Sequence, residues 1–458
     1  MSLKINFFNN HFSNDFFHFS AVIVLSIFPL LFFVGTGLVN ASIIILDIIF
    51  VSEILIKKRL NFLKNYVFYS LILLWITFLI NIFFSIDPSN SFSRGFGFIR
   101  FIFFIMSILY YFNINDEKYK KIILFSWLII FSITTLDLIF ELVNGENILG
   151  FKSYIHGRLA GFFNDELIVG HFYYAFILII ISFIIKIFST RKLNIINKEF
   201  DLKNFSYLFI FLFLMISFLI GERANFIKVL IMILLFTFFF ETRILKFKII
   251  LFSLFFISLF LFIYANDEYK RRFLSQFINQ YYYDYQLQRE MDADLRSALK
   301  TDSTIQVEVR KENKTLIEKI FSSEHGGHYS TALKVFDNNK VFGVGIRNYS
   351  KEINKKEYKS YFFFKSKNPS THPHQIHFEF LAELGLFGYS SFLIFFIYHF
   401  YVFIKNKKIN DNLSVSGLLF IFTSLLPLLP SGSFFTSHAA ALFWMNFAFM
   451  NLNQKNNL

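Results

Sequence analysis

The sequence predicts an all-α polytopic membrane protein with about twelve transmembrane helices and one large extracytoplasmic loop between the ninth and the tenth. Of its 458 residues, 55% are hydrophobic, and they form apolar runs of about 20 residues, the length that crosses a bilayer. Lysine and arginine concentrate in alternate connections between these runs, which is the positive-inside pattern and puts both termini in the cytoplasm. Topology therefore accounts for the net charge of +13, and no nucleic-acid partner is predicted.

The predicted helices divide the chain into three parts. Residues 1–265 form helices one to nine with short loops, residues 266–377 form the large extracytoplasmic loop, and residues 378–458 form helices ten to twelve with a short cytoplasmic tail. The first helix is expected to act as an uncleaved signal anchor, and residues 281–319 of the large loop are expected to be helical and solvated. The twelve predicted spans are residues 17–34, 38–55, 66–84, 96–112, 122–143, 168–187, 205–220, 225–240, 249–265, 378–404, 413–429 and 434–452.

Residues 370–389 carry three histidines from a polar loop into an apolar helix. Pro373 suits the first turn of that helix, where its missing N–H is not needed, and one of residues 370–372 is then expected to cap it. This predicts that His374 lies in the first turn, where the positive helix end keeps the imidazole neutral. Because a neutral imidazole is able to take a proton from a hydroxyl group, His374 is a candidate general base.

These histidines also suit two roles that involve no proton transfer. Imidazole rings are common at the wet boundary of a membrane, where their role is purely structural. Histidines are also ligands of zinc, but the spacing here matches no standard ligand pattern, so neither a metal nor a cofactor is predicted. The histidines that a zinc site would use are His372, His374, His377 and either His325 or His328.

Several arginines lie at the predicted outer ends of helices, against the positive-inside trend. Arg158 and Arg223 lie in outer connections, and Arg94 and Arg100 flank the outer end of the fourth helix. Arginine is costly in hydrocarbon and offers a rigid donor fork that fits phosphate, so an anionic ligand is predicted on this side. Snorkelling to lipid phosphate accounts for each arginine singly, but it accounts less well for Arg100, nearly a turn inside its helix.

Three acidic residues, Asp47, Asp137 and Glu141, lie inside apolar runs or near their ends. Intramembrane carboxylates relay protons in transporters, and access to water accounts for Asp137 and Glu141 equally well. No chain of carboxylates recurs through several helices. Since the arginines and histidines gather at one face, a flippase or transporter is the less favoured alternative.

Four short motifs together resemble the family of bacterial O-antigen ligases and O-antigen polymerases. Residues 372–375 (His-Pro-His-Gln) with 381–388 (Leu-Ala-Glu-Leu-Gly-Leu-Phe-Gly) resemble that family's His-Asn pair and its Glu-Leu-Gly-x-x-Gly run, and residues 342–345 resemble its Gly-Val-Gly turn. Arg158 with Gly161, and Arg223 after a short turn, look like its paired arginine motifs. Residues 431–435, before the last helix, also resemble a segment of that family. Gln375 departs from the pattern, because asparagine is usual there.

The resemblance implies glycan transfer at the outer face of the bacterial inner membrane, without metal or cofactor and with inversion. The donor is a glycan linked to undecaprenyl diphosphate. The acceptor is lipid A core in a ligase of lipopolysaccharide biosynthesis, which the motifs favour slightly, or a carrier-linked glycan in a polymerase. His374 is assigned as the base and Arg158 and Arg223 as the diphosphate ligands, while four residues are assigned as helpers, namely His372, His377, Arg347 and Arg100.

Overall fold

The computed structural model describes residues 5–114, 117–166, 168–189, 192–195, 198–201, 205–240, 245–275, 324–355, 358, 371–406 and 408–452. The helices in these ranges are α1 (Ile5–Val34), α2 (Thr36–Ile56), α3 (Tyr66–Phe83), α4 (Pro88–Gly95), α5 (Ile99–Ile114), α6 (Glu117–Asn144), α7 (Val169–Ser189), α8 (Phe205–Leu219), α9 (Arg223–Leu235), α10 (Leu245–Ala265), α11 (Asp267–Lys270), α12 (Glu324–Asn338), α13 (Tyr349–Glu352), α14 (Ile376–Lys405), α15 (Asn412–Ser424) and α16 (Ser437–Met450).

Nine spans in the described part of the chain are long and apolar enough to cross a membrane. They are α1, α2, α3, α4 with α5, α6, α7, α9 with the turn after it, α10 and α14, and each overlaps a predicted span. The other three predicted spans coincide with the shorter helices α8, α15 and α16. A polytopic helical membrane protein is therefore confirmed, while the count of twelve stays a prediction.

The described part of the large loop contains α11, α12 and α13. Residues 281–319, for which the sequence predicted a solvated helix, lie outside the described residues. An antiparallel hairpin that the all-α prediction missed pairs β1 (Lys192–Ile195) with β2 (Lys198–Asp201). Strands of four residues are too short to show a clear alternating pattern.

Two helix boundaries differ from the prediction for local reasons. The fourth span begins at Pro88, eight residues early, because the Asp87 side chain accepts the Asn90 N–H (3.2 Å) and proline occupies the first helical position. Residues 425–436 are non-helical, although the predicted spans reached 429 and resumed at 434. Pro427 and Pro430 lack the N–H that a helix needs and restrict the residue before them.

Helix α14 is interrupted at Gly385, whose φ of 62° is left-handed. Residues 340–345 occupy the break, and the N–H of Val344 donates to the carbonyl of Ala382 (3.0 Å) and that of Gly345 to Glu383 (2.8 Å). A side chain at Gly385 would overlap the backbone of Val341. Gly385 is therefore a point of close packing that joins two chain segments and does not lie within a regular helix.

The connections that carry the candidate motifs meet at one end of the helix bundle. Backbone hydrogen bonds of 2.7–3.1 Å join residue 86 to 344, residue 159 to 220 and residue 431 to 374. The other end carries the basic connections, where Lys186 pairs with Glu117 (2.9 Å) and Arg59 contacts Tyr110 (3.0 Å). The candidate residues are thus gathered on one side of the bundle.

Candidate functional site

Helix α14 begins two residues after His374. Gln375 is its cap, since the side-chain oxygen accepts the N–H groups of His377 (2.7 Å) and Phe378 (3.1 Å). The expectation that Pro373 opens this helix, with His374 in the first turn, is therefore wrong. The amide oxygen of Gln375 reaches the free N–H groups of the first turn, which leaves His374 outside the helix with a left-handed φ of 58°.

Four imidazole rings lie together and form what we call the histidine cluster: His325, His328, His372 and His374. The ring centroid of His374 is 4.1 Å from that of His372, 5.0 Å from that of His328 and 5.7 Å from that of His325. Helix α12 contributes the first two rings, some fifty residues away in sequence. Among the described residues, no group of three or more potential ligands is arranged to hold a metal ion.

The histidine cluster keeps its central rings uncharged. Burial, together with the adjacent imidazoles of His372, His328 and His325, lowers the pKa of His374 to about 3. Burial, with His328 beside it, lowers the pKa of His372 to about 4. Low dielectric and neighbouring charge both penalise an imidazolium. The neutral state predicted for His374 is therefore found, although burial produces it and the helix end does not.

Both ring nitrogens of His377, a predicted helper, form hydrogen bonds to other parts of the chain. Nε2 lies 2.8 Å from the carbonyl oxygen of Leu425, and Nδ1 lies 3.1 Å from the hydroxyl of Tyr389. A carbonyl oxygen only accepts, so Nε2 carries the ring proton and Nδ1 accepts from the tyrosine. This arrangement favours a role in fixing the start of α14 against residues 425–436.

Residues 425–436 connect His374 to the helix that begins at Arg223. The N–H of Ser431 donates to the carbonyl of His374 (2.7 Å), and the preceding carbonyl, that of Pro430, accepts from Lys228 Nζ (2.8 Å). Lys228 lies in α9, five residues after Arg223, and is 3% exposed. Sequence reasoning missed Lys228, although a lysine inside an apolar run is a recognisable signal of function.

Two buried carboxylates of α14 hold the turns around the site, and sequence reasoning gave them no role. Glu379 accepts from the N–H of Phe434 (2.8 Å) and from the hydroxyl of Ser433. Glu383, one turn later, accepts from the N–H of Arg347 (2.8 Å). Both are at most 2% exposed. Since each accepts from a separate turn, α14 fixes the two turns relative to each other.

Arg158 and Arg223 lie together with Arg272, which sequence reasoning missed; we call these three the arginine cluster. Arg158 forms an ion pair with Glu222 (2.9 Å), and Arg272 Nε donates to the carbonyl of Gly221 (2.6 Å). Burial, together with the charges of Arg158 and Arg223, lowers the pKa of Arg272 to about 10. The guanidinium groups of Arg158 and Arg223 and the carboxylate of Glu222 all lie within electrostatic range of Arg272.

The acidic residues near the outer end of α6 anchor the loop that carries Arg158. Glu141 accepts the N–H groups of Ala160 and Gly161, both at 2.8 Å, and Asp137 accepts a backbone N–H of the same loop at 3.0 Å. These contacts use the carboxylates as local structural acceptors. They give a proton-relay function no support.

The other two predicted helpers lie apart from the histidine cluster. Arg100 lines a pocket with Arg94, and the exposed Arg347 lies within electrostatic range of Arg94. The structure thus brings together His372 with His374, and Arg158 with Arg223. That His374 and the arginine cluster face one common cavity stays a prediction.

Comparison with known proteins gives one family. Residues 208–393 match a family model described as O-antigen ligase. No curated protein matches the chain. The matched range runs from α8 into α14 and includes Arg223, Arg272 and the histidine cluster, whereas Arg158 and residues 425–436 lie outside it.

Proposed function

We propose, from the match of residues 208–393 to a family model described as O-antigen ligase, that this protein is a glycosyltransferase of the bacterial inner membrane. It moves an O-antigen-type glycan from undecaprenyl diphosphate to a sugar hydroxyl of lipid A core. The reaction is a single displacement with inversion at the outer, periplasmic face. No metal or cofactor takes part in the proposed mechanism.

The arginine cluster binds the diphosphate of the donor in this proposal. Guanidinium groups match phosphate oxygens with paired hydrogen bonds, and the charges of Arg158 and Arg223 lie within electrostatic range of Arg272. When the bond between the anomeric carbon and the diphosphate breaks, the electron pair leaves with the diphosphate. Fixed guanidinium groups stabilise that developing charge without reorganisation of solvent.

His374 activates the acceptor. The acceptor hydroxyl oxygen forms the new bond to the anomeric carbon, and its proton moves to the neutral imidazole. Burial and neighbouring rings give the free protein a weakly basic His374. A bound diphosphate brings negative charge to the site and raises the pKa of the imidazole, so donor binding prepares the base.

The observation that carries this proposal is the contact chain from the arginine helix to the base. Lys228 contacts Pro430, and the next residue, Ser431, contacts His374. Lys228 is five residues from Arg223, or about 7.5 Å along a helix axis. These contacts support the proposal that a diphosphate at the arginine cluster and a hydroxyl at His374 belong to one site.

Reconstituted protein tests the proposal directly. The purified chain in phospholipid vesicles receives undecaprenyl diphosphate-linked oligosaccharide with a labelled sugar, together with lipid A core. We expect labelled glycan on the core. His374→Ala should lower the rate at least a hundredfold, the usual contribution of a general base, and Arg223→Ala should abolish transfer by weakening donor binding. His156→Ala is the control, because that ring is three-quarters exposed and lies outside the histidine cluster.

Each of the remaining outcomes has a distinct meaning. Full activity of the His374 variant contradicts the base assignment. Elongation of carrier-linked glycan without transfer to core identifies a polymerase. Movement of the carrier-linked glycan across the vesicle membrane without a new glycosidic bond identifies a flippase and rejects the transferase.

A further inference from the structure

A pocket that contains two arginines lies at the same end of the bundle. Its walls are formed by Arg94 and Arg100 with aromatic rings, chiefly Phe434, Phe435 and Trp444. Arg100 and Trp444 both belong to helices in the apolar part of the bundle. The pocket therefore combines positive charge with an apolar lining.

Local helix geometry brings the two arginines to one side. They are six residues apart and would lie about 120° apart around a regular α-helix. Between them, Phe96–Phe98 forms a 3₁₀ turn, which has three residues per turn and rotates the second arginine toward the first. Both guanidinium groups thus line the same pocket.

The pocket contains polar donors without acceptors. Arg100 Nε and Trp444 Nε1 are buried and have no hydrogen-bond partner among the described residues. Arg94 donates to the hydroxyl of Ser437 (3.2 Å), and neither arginine is ion-paired with a carboxylate in the described ranges, although Asp47 acts on Arg100 at longer range. Buried donors without acceptors are costly, and a phosphate group supplies several strong acceptor oxygens.

The pocket is close to the proposed base through residues 430–435. Phe434 and Phe435 form its wall, while Ser431 in the same segment contacts His374. Three residues span at most about 10 Å. The first part of this segment contacts the histidine cluster and Lys228, and the part that follows forms a wall of the pocket.

We propose that this pocket binds a phosphate group of the acceptor, a phosphorylated glycolipid of the lipid A type. The inference rests on the proposed function, because it assigns the second substrate of that reaction. The three-arginine cluster suits the more highly charged diphosphate, whereas two arginines and an indole N–H suit a single phosphate.

Equilibrium binding tests the assignment without turnover. Thermophoresis in neutral detergent measures the affinity of the full chain for phosphorylated lipid A, dephosphorylated lipid A, undecaprenyl diphosphate and inorganic phosphate. We expect Arg100→Gln to weaken binding of phosphorylated lipid A by roughly ten- to a hundredfold, the equivalent of one charge-assisted hydrogen bond. Its affinity for undecaprenyl diphosphate should be unchanged. Arg271→Gln is the matched control, because this arginine is exposed and outside the pocket.

Trp444→Phe keeps an aromatic ring and removes the N–H, so it tests the pocket even if Arg100→Gln misfolds. It should weaken binding of phosphorylated lipid A severalfold with an unchanged unfolding temperature. Unaltered affinity in both variants overturns the inference, as does equally tight binding of inorganic phosphate or a loss confined to undecaprenyl diphosphate. If Arg100→Gln transfers glycan normally and its KM for the acceptor is unchanged, the role of the pocket is rejected and the proposed function is not. If lipid A binding depends on Arg100 but the protein transfers no glycan, the proposed function is rejected and the role of the pocket is not.

Discussion

Replacement of Glu379 by alanine should release the segment that holds the proposed base. This carboxylate accepts from the N–H of Phe434 (2.8 Å) and the hydroxyl of Ser433. These two residues lie two and three positions after Ser431, which contacts His374. Hydrogen bonds to a charged group contribute about 1.5–3 kcal/mol each. The loss of both should destabilise the local fold of residues 425–436 by about 3–6 kcal/mol. We expect glycan transfer to fall at least tenfold.

Glu379→Gln is the matched control. Its side-chain oxygen can still accept from Phe434, and its amide nitrogen can donate to Ser433, because a hydroxyl also accepts. The glutamine variant should therefore retain most of the activity. Hydrogen exchange measured by mass spectrometry should show faster exchange at residues 425–436 in the alanine variant, with the long helices unchanged.

Two results would refute this reasoning. Equal activity of the alanine and glutamine variants at the wild-type level would mean that Glu379 does not position the segment. Equal inactivity with normal hydrogen exchange in both would mean that the carboxylate itself takes part in the chemistry.

Three further predictions concern pH, charge and packing. Because the pKa of His374 is about 3 in the free protein, kcat/KM should stay level as pH falls from 8 to about 5, and a fall with a midpoint near 6.5 would contradict this burial. The free energy of unfolding should decrease as pH falls below about 6.5, because His374 in the unfolded chain binds a proton there while the buried ring of the folded protein does not. Arg272→Ala should weaken undecaprenyl diphosphate binding at least tenfold by loss of a charged donor, with the exposed Arg271→Ala as control, and equal affinities would remove Arg272 from the donor site. Gly343→Ala should lower the unfolding temperature and transfer, because φ is 67° and a Cβ would overlap the backbone of Glu383, whereas Gly37→Ala, where nothing lies within 4 Å, should change neither.

Local patterns were sufficient for the nine long spans and for most of the individual candidates. A helix that crosses hydrocarbon must satisfy its backbone internally and needs about 20 apolar residues, and both requirements are visible in a short window of sequence. The cost of arginine in such a window likewise marked Arg158, Arg223 and Arg100. The same reasoning overlooked Lys228 and Arg272, which show their significance only beside their neighbours.

Local patterns also failed where two local interactions compete. Pro373 suits a first helical turn, but the helix starts later because the Gln375 side chain caps it. Residues 425–429 read as apolar helix, but they form turns, because Pro427 and Pro430 oppose a helix and residues 430 and 431 contact Lys228 and His374. The difference in free energy between such alternatives is small, and the contacts that decide it come from distant parts of the chain.

The sequence by itself determined that this is a polytopic helical membrane protein, with arginines and histidines at the predicted outer ends of its helices. Only the tertiary structure joined His325 and His328 to His374, added Arg272 to the two predicted arginines, and opened α14 at Gly385 to receive residues 340–345. The physical reason is the range of the interactions. The length and charge of an apolar segment are visible within about 20 residues of sequence. These contacts join residues that are far apart along the chain, so no local sequence pattern reveals them.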